Sequence, residues 1–157
     1  MRVDEVMTRS VRTASPETRL EEVAAVICLN RISGLPVVID DDRLIGFIAE
    51  RDILHYLFPT LDDLMEQTGI RDFEQMEQRY GATLGLTVAD VMHQGVVSVT
   101  PDTPLLRAVS VMVRHKFRRI PVADGDGRLV GIISIGDIHK ALFKHSLLSQ
   151  QERQHAA

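Results

Sequence analysis

Two short stretches of the chain combine residue types that can bind a polar ligand. The stretch GIISIGD, Gly131–Asp137, contains Ser134 and Asp137, and GFIAERD, Gly46–Asp52, repeats its frame with Ala49 in place of the serine. A carboxylate has two acceptor oxygens, which suit a pair of vicinal hydroxyl groups. A helix that begins at such a stretch attracts anions through its free backbone N–H groups. The Ser-x-x-Asp spacing is also typical of a capping box, in which both side chains serve only the helix end.

Basic residues accompany one of the two stretches and are missing from the other. The segment KFRR, Lys116–Arg119, precedes IPV, whereas RISG precedes LPV, so that Arg118 and Arg119 align with Ser33 and Gly34. Guanidinium groups match the geometry of phosphate oxygens. The alternative is a solvated basic edge, or salt bridges to nearby aspartates. The pattern predicts two unequal sites, the better equipped one around Ser134.

These differences lie within an internal repeat. An offset of 85 positions places Val3–Phe58 on Val88–Phe143 without a gap, and 19 of the 56 aligned pairs are identical. A repeat of this kind determines the architecture, because each copy is one supersecondary unit. Each copy predicts the order strand, helix, strand, strand, helix. We therefore expect an α+β fold of two βαββα repeats, packed with pseudo-two-fold symmetry, and a helical insert between them.

The local signals agree with this order. Short β-branched pieces at Ser10–Thr13 and Val96–Val99 predict the first strands. The turns SPET and TPDT that follow predict helix starts, with Ser15 and Thr100 as N-caps and a proline, Pro16 or Pro101, at the first helical position. Apolar residues then recur at helical spacing. LPVVI and LIGFIA predict strands in the first repeat, and IPVAD and LVGIIS predict strands in the second.

The insert and the two ends complete the expected domain organisation. We expect a first domain at 1–58, the insert at 59–86, a second domain at 87–146 and a flexible C-terminal tail at 147–157. In the insert, TLDD at Thr60–Asp63 has capping-box spacing. Phe73, Met76 and Tyr80 predict a second short helix that Gly81 ends. The apolar stripe of these helices predicts packing onto the repeats or, alternatively, a contact with a partner.

Composition excludes several classes of function. The chain has 157 residues, of which 45% are hydrophobic, and 22 acidic residues outnumber 18 basic ones. This balance predicts a globular protein that does not bind nucleic acid, since nucleic-acid binders carry a basic face. No apolar run reaches the roughly 18 residues of a membrane span. The single cysteine, Cys28 in VAAVICL, predicts a buried thiol and a reducing, cytoplasmic setting.

Residue sets that could perform catalysis are missing from the sequence. The six histidines have no zinc-binding spacing, and neither a nucleophile elbow nor a phosphate-binding P-loop occurs. The acidic turn at Asp40–Asp42 is of a type that is usually solvated. We therefore expect no enzyme activity, no metal site and no required cofactor.

The repeat resembles the cystathionine-β-synthase (CBS) domain, present as a tandem pair known as a Bateman module. The resemblance rests on VMTRSVRTASPETRLEEVA and RISGLPVVIDDDRLIGFIAERDIL, and on their counterparts VMHQGVVSVTPDTPLLRAV and KFRRIPVADGDGRLVGIISIGDI. It implies clefts between the repeats that hold AMP, ADP or ATP, with S-adenosylmethionine or NAD as further candidates. In that family the aspartate of the motif accepts bonds from ribose hydroxyls, and the serine or threonine reaches the ribose or the phosphate.

Carried over residue by residue, the resemblance implies one main cleft and one weaker cleft. The main cleft would be lined by Ser134, Asp137, Arg118, Arg119, Ile120, Pro121, Ile132, Ser10, Arg12, Ile32 and Ser33. The weaker cleft would use Asp52, Val97 and Phe117.

Two functions from different classes remain open on this sequence. The first is a regulatory module that binds an adenine nucleotide, forms a homodimer and transmits ligand binding to a partner protein. The second is a nucleotide-free structural adaptor that serves oligomerisation. A difference in affinity between two conformational states would be required for the first.

Overall fold

A computed structural model describes residues 1–58, 73–92 and 95–156. The chain divides into two compact units. Unit 1 consists of Met1–Val11 and Val97–Ala157, and unit 2 consists of Arg12–Val96. The predicted capping box at Thr60–Asp63 lies outside the described residues, as does His93.

Unit 2 is built on an antiparallel hairpin. Its elements are α1 (Leu20–Asn30), β1 (Gly34–Ile39), a 3-10 turn (Asp40–Asp42), β2 (Arg43–Ala49), α2 (Glu50–His55), α3 (Phe73–Thr83) and α4 (Val88–Val91). The register of the hairpin places Gly34 opposite Ala49. The apolar positions of α1 recur at helical spacing, and its buried residues Leu20, Val23 and Ile27 join the buried residues of the hairpin in one core.

Unit 1 repeats this construction. Its elements are a 3-10 turn (Val3–Glu5), α5 (Leu105–His115), β3 (Arg119–Ala123), β4 (Leu129–Ser134) and α6 (Ile135–His155). The hairpin register places Arg119 opposite Ser134. Met112 of α5 and Ile138 of α6 are fully buried with the hairpin residues Ile120 and Ile133. Both units therefore combine a two-stranded sheet with helices, and the predicted α+β fold class is confirmed.

The first segment of each repeat packs in the unit that contains the other repeat's hairpin. Thr8 exchanges two backbone hydrogen bonds of 2.9 Å with Ile132 in unit 1. In unit 2 the Val88 N–H donates to the Thr18 carbonyl over 2.8 Å, and the Leu20 N–H donates to the Leu86 carbonyl over 2.9 Å. The compact units therefore differ from the sequence repeats by an exchange of these segments.

The first helix of each repeat starts later than predicted. Helix α1 has Arg19 as its N-cap and α5 has Pro104, so the prediction of Ser15 and Thr100 as N-caps was wrong. The physical reason is a local turn in which the hydroxyl of Ser15 lies 3.0 Å from that of Thr18, and the same arrangement recurs at Thr100. Side chains bonded to each other within a turn are not available to cap a helix four residues later.

The predicted first strands are reduced to single bridges. Ala14 pairs with Val37 in unit 2, and Val99 pairs with Val122 in unit 1, each in parallel orientation. Neither Ser10–Thr13 nor Val96–Val99 forms a strand. One bridge is nevertheless enough to place each segment beside its hairpin.

Two further predictions were wrong. Cys28 is exposed, because it follows Ile27 by one residue and helical geometry turns it away from the buried face of α1. Helix α3 continues past Gly81 to Thr83. Helix α6 continues up to His155 into the region expected to be a tail, whose flexibility stays a prediction.

Apolar side chains stand on the exposed surface of α6. Phe143, Leu147 and Leu148 are 61%, 44% and 50% exposed. Phe143 and Leu147 are four residues apart and therefore share one face of the helix. Among the described residues, no helix is long and apolar enough to cross a membrane.

Candidate functional site

The candidate site of unit 1 lies where its hairpin passes into α6. Arg119 and Ser134 are the last pair of the β3–β4 ladder, and directly opposed residues have Cβ atoms only about 4.5–5.5 Å apart. The backbone N–H of Ile135 donates to the Arg118 carbonyl over 2.9 Å, which ties the first turn of α6 to the start of β3. The hairpin thereby brings a guanidinium, a hydroxyl and a helix start to one edge.

Ser134 and Asp137 bond to each other at this helix start. The Ser134 hydroxyl donates to Oδ2 of Asp137 over 2.6 Å, and it accepts the backbone N–H of Asp137 at 3.1 Å. Ser134 is therefore a true N-cap of α6, as the capping reading of the motif predicts. Both side chains are half-buried, and they keep lone pairs that a ligand can use.

Arg119 contributes a guanidinium with an unsatisfied donor. Its Nε atom is buried and has no hydrogen-bond partner among the residues that the structure describes. Neither Arg119 nor Arg118 forms an ion pair with the residues that the structure describes, so the alternative of salt bridges to nearby aspartates receives no support. Arg118 is exposed, whereas Arg119 is half-buried. A buried donor without a partner is costly, which makes Arg119 the group here that gains most from an anionic acceptor.

The equivalent position in unit 2 is built differently. Gly34 stands opposite Ala49, so that neither the guanidinium nor the hydroxyl is present. Oδ2 of Asp52 accepts the backbone N–H of Ala49 at 2.8 Å. The ring of Phe47 covers Gly34 so closely that a Cβ atom added to the glycine would lie 2.5 Å from its Cε1 atom. The inequality expected from the sequence is thus present in the side chains of the two hairpin ends.

Other residues predicted for the main site are distributed over both units. Ser10 and Ile132 belong to unit 1, where Ser10 is exposed and Ile132 is half-buried. Ile120 is fully buried in the core and Pro121 is buried as well, and their part in a ligand site stays a prediction.

Three residues predicted for the main cleft belong to unit 2, and the residues predicted for the weaker cleft are divided between the units. Arg12, Ile32 and Ser33 belong to unit 2, and their part in a site with Ser134 stays a prediction. Val97 and Phe117, predicted for the weaker cleft, pack against the core of unit 1, and the Phe117 ring stacks on His115 with centroids 5.5 Å apart.

Comparison with known proteins identifies the family. The sequence model of the CBS domain matches residues 3–59 and 88–144. The chain belongs to the CBS domain family.

Relatives of this tandem CBS chain occur in an archaeon and in a plant. It is 32% identical over 155 residues to the protein MJ1426 of Methanocaldococcus jannaschii. The match covers 90% of this chain and 91% of the length of MJ1426. It is 30% identical over 153 residues to the chloroplastic CBS domain-containing protein CBSX1 of Arabidopsis thaliana; the match covers 88% of the chain but only 63% of the length of CBSX1.

A solved structure of a related CBS pair contains a nucleotide. The structure of CBSX2 in complex with AMP matches with a TM-score of 0.71 at 27% identity, over 92% of this chain and 98% of the chain in that structure. The similarity confirms the CBS-pair fold, and AMP is the ligand of CBSX2.

Two residues of the CBS repeats matter to the candidate sites and were missed in the sequence. Phe47 aligns with Ile132 at the offset of 85. A glycine inside a strand often indicates that a neighbouring group comes close, so Gly34 was the signal in the sequence for the Phe47 ring that covers it. Thr8 pairs with Ile132 along the edge of β4. Because most of the chain lies between these two residues, no local sequence pattern could predict the pairing.

Proposed function

We propose that this CBS pair binds an adenosine-containing nucleotide at the edge formed by Arg119, Ser134 and Asp137. The observation that carries the proposal is the buried Nε atom of Arg119, which has no hydrogen-bond partner in the described part of the chain; Arg119 pairs across the hairpin with Ser134, the N-cap of a 21-residue helix. A phosphate oxygen satisfies both the guanidinium and the partial positive charge of the helix start. The ribose hydroxyls of the same ligand bond to the Asp137 carboxylate.

The proposed class of ligand is supported by the similarity of this chain to a CBS pair whose structure contains AMP. CBSX2, which binds AMP, shares both the fold and 27% of its residues with this chain. AMP is therefore the first candidate, followed by ADP and ATP, and S-adenosylmethionine and NAD complete the set to be screened. The proposed role is regulatory: the nucleotide alters how the chain docks onto a partner protein, and the chain itself is not an enzyme and needs no cofactor.

A homodimer is the proposed assembly. The exposed apolar face of α6 around Phe143 and Leu147 is a surface in unit 1 whose burial would stabilise association. A cytoplasmic, reducing location is proposed because the chain has one cysteine, Cys28, and cannot form an internal disulfide.

Calorimetry with matched nucleotides tests the ligand proposal. AMP, ADP and ATP are titrated into the protein beside GMP and CMP, and thermal unfolding is followed in parallel. A nucleotide at about 100 times its Kd adds about 2.7 kcal/mol to the free energy of unfolding. If adenosine ligands, S-adenosylmethionine and NADH all give no heat and no shift in Tm, the chain is instead the nucleotide-free adaptor.

A further inference from the structure

The two repeat aspartates are held by different kinds of group. Asp52 in unit 2 accepts a backbone N–H, that of Ala49, at 2.8 Å. Asp137 in unit 1 accepts the side-chain hydroxyl of Ser134 at 2.6 Å, and within the described part of the chain its carboxylate accepts no backbone hydrogen bond. The orientation of Asp137 therefore depends on a side chain that a substitution can remove, whereas the backbone anchor of Asp52 survives any substitution at Ala49 except proline.

The Ser134 hydroxyl is well suited to fix this carboxylate. Its oxygen is itself held by the backbone N–H of Asp137 at 3.1 Å, so the hydroxyl is anchored at one end and donates at the other. An O–H to carboxylate bond of about 2.5–2.7 Å is of the strong, charge-assisted kind. The bond uses one lone pair of Oδ2, and the lone pairs that remain on both carboxylate oxygens can accept two vicinal hydroxyls.

We infer that Ser134 is a positioning residue: it acts through Asp137, by holding the carboxylate in the orientation that receives the ribose hydroxyls. This inference rests on the proposed function for its ligand, and it differs from a role in which the serine binds the phosphate itself. A binding group is effective only when its rotamer is fixed by a supporting contact. Arg119 then provides the phosphate contact, and the serine affects nucleoside and nucleotide alike.

The first test needs no ligand. The χ1 populations of Asp137 and Asp52 are measured by NMR scalar couplings in the wild type, in Ser134→Gly and in Ser134→Thr. Glycine keeps most of the N-cap preference but has no hydroxyl, and threonine keeps both. We expect Asp137 to become averaged among rotamers in Ser134→Gly and to stay in one rotamer in Ser134→Thr. Asp52 is the internal control and stays unchanged in both variants.

The second test separates positioning from phosphate contact. Ser134→Gly should lower the affinities for adenosine and for AMP by the same factor, about tenfold, which corresponds to one hydrogen bond with a charged acceptor. In an Asp137→Ala background the same glycine substitution should change either affinity by less than about twofold, because the group through which the serine acts is gone.

Three results would overturn the inference. One is an unchanged Asp137 rotamer in Ser134→Gly. Another is a loss of AMP affinity with adenosine affinity intact, which would assign the hydroxyl to the phosphate. The third is an undiminished effect of Ser134→Gly in the Asp137→Ala background. If the wild type binds neither adenosine nor AMP, the proposed function is refuted instead, and the χ1 populations alone decide whether Ser134 holds Asp137.

Discussion

Replacing Arg119 by methionine should change folding stability and ligand affinity in opposite directions. Methionine keeps an unbranched apolar stem, so the packing of the side chain is largely retained. It removes the buried Nε donor, which has no partner among the described residues and whose burial costs about 1–3 kcal/mol. Because Arg119 is only half-buried, the lower end applies, and Arg119→Met should stabilise the ligand-free protein by about 1 kcal/mol. For a chain of this size that is a rise in Tm of about 2–4 °C.

The same substitution should lower the affinity for AMP by about ten- to a hundredfold, since a hydrogen bond to a charged group contributes about 1.5–3 kcal/mol. Adenosine carries no phosphate, and its affinity should change by less than about twofold. Thermal unfolding without ligand and calorimetric titration with both ligands provide the measurements. Arg118→Met is the matched control: Arg118 is exposed, and its replacement should leave Tm within about 2 °C. A lower Tm for Arg119→Met together with unchanged AMP affinity would refute the reasoning, because Arg119 would then be a structural residue.

Four other predictions follow from the structure. Asp137→Ala should lower the affinity for adenosine, measured by calorimetry, about ten- to a hundredfold. Asp52→Ala should lower this affinity less, and the reverse order would place the working site in unit 2. Sedimentation equilibrium should give about twice the chain mass of 17.6 kDa, since a dimer would bury the apolar face of α6; a monomer at tens of micromolar would exclude the dimer. Gly34→Ala should destabilise the protein by about 1–3 kcal/mol in urea unfolding, because the new Cβ atom meets Phe47 Cε1 at 2.5 Å and a backbone oxygen at 2.6 Å; an unchanged midpoint would show that the ring moves aside at no cost. The pKa of Asp90 lies below its ordinary value of 3.8, chiefly through the backbone hydrogen bond from the threonine that precedes α4. A lowered carboxyl pKa stabilises the fold above the unfolded-state value and ceases to do so as pH falls through the folded-state value. Asp90→Asn should therefore lower stability at pH 7 and converge with the wild type in acid, and a difference that persists in acid would have another origin.

Much of the fold could be predicted because the repeat makes every local signal appear twice. The hairpins were predicted from β-branched runs on either side of aspartate-rich turns, and the structure confirms both. The helix starts were not predicted, since Ser15 and Thr100 have the right chemistry for a cap but bond to a nearby threonine instead. Cys28 was assigned to the core from an apolar run, although the helical phase set by Ile27 turns it outward.

The candidate site was predictable in its residue types and not in its hydrogen bonds. The alignment of the repeats identified Arg118, Arg119 and Ser134 as the side chains that distinguish the second copy, and Asp137 as the aspartate that both copies share. Both readings of the Ser-x-x-Asp motif were open in the sequence, and the structure shows the capping bond. The unpartnered Nε atom of Arg119 depends on what surrounds it in three dimensions, and spacing alone could not reveal it.

The exchange of first segments has a consequence for biosynthesis. Unit 2 is continuous in the chain, so all of its residues are available once Val96 has been synthesised. Unit 1 is interrupted by the whole of unit 2, and Thr8, which precedes unit 2 in the sequence, pairs with Ile132, which follows it. Contacts so distant in sequence form slowly, because the intervening loop must be closed first. A nascent chain stalled after Val96 would hold all residues of unit 2 and an N-terminal segment with no strand to pair with, a state in which chaperones or a second copy can capture that segment.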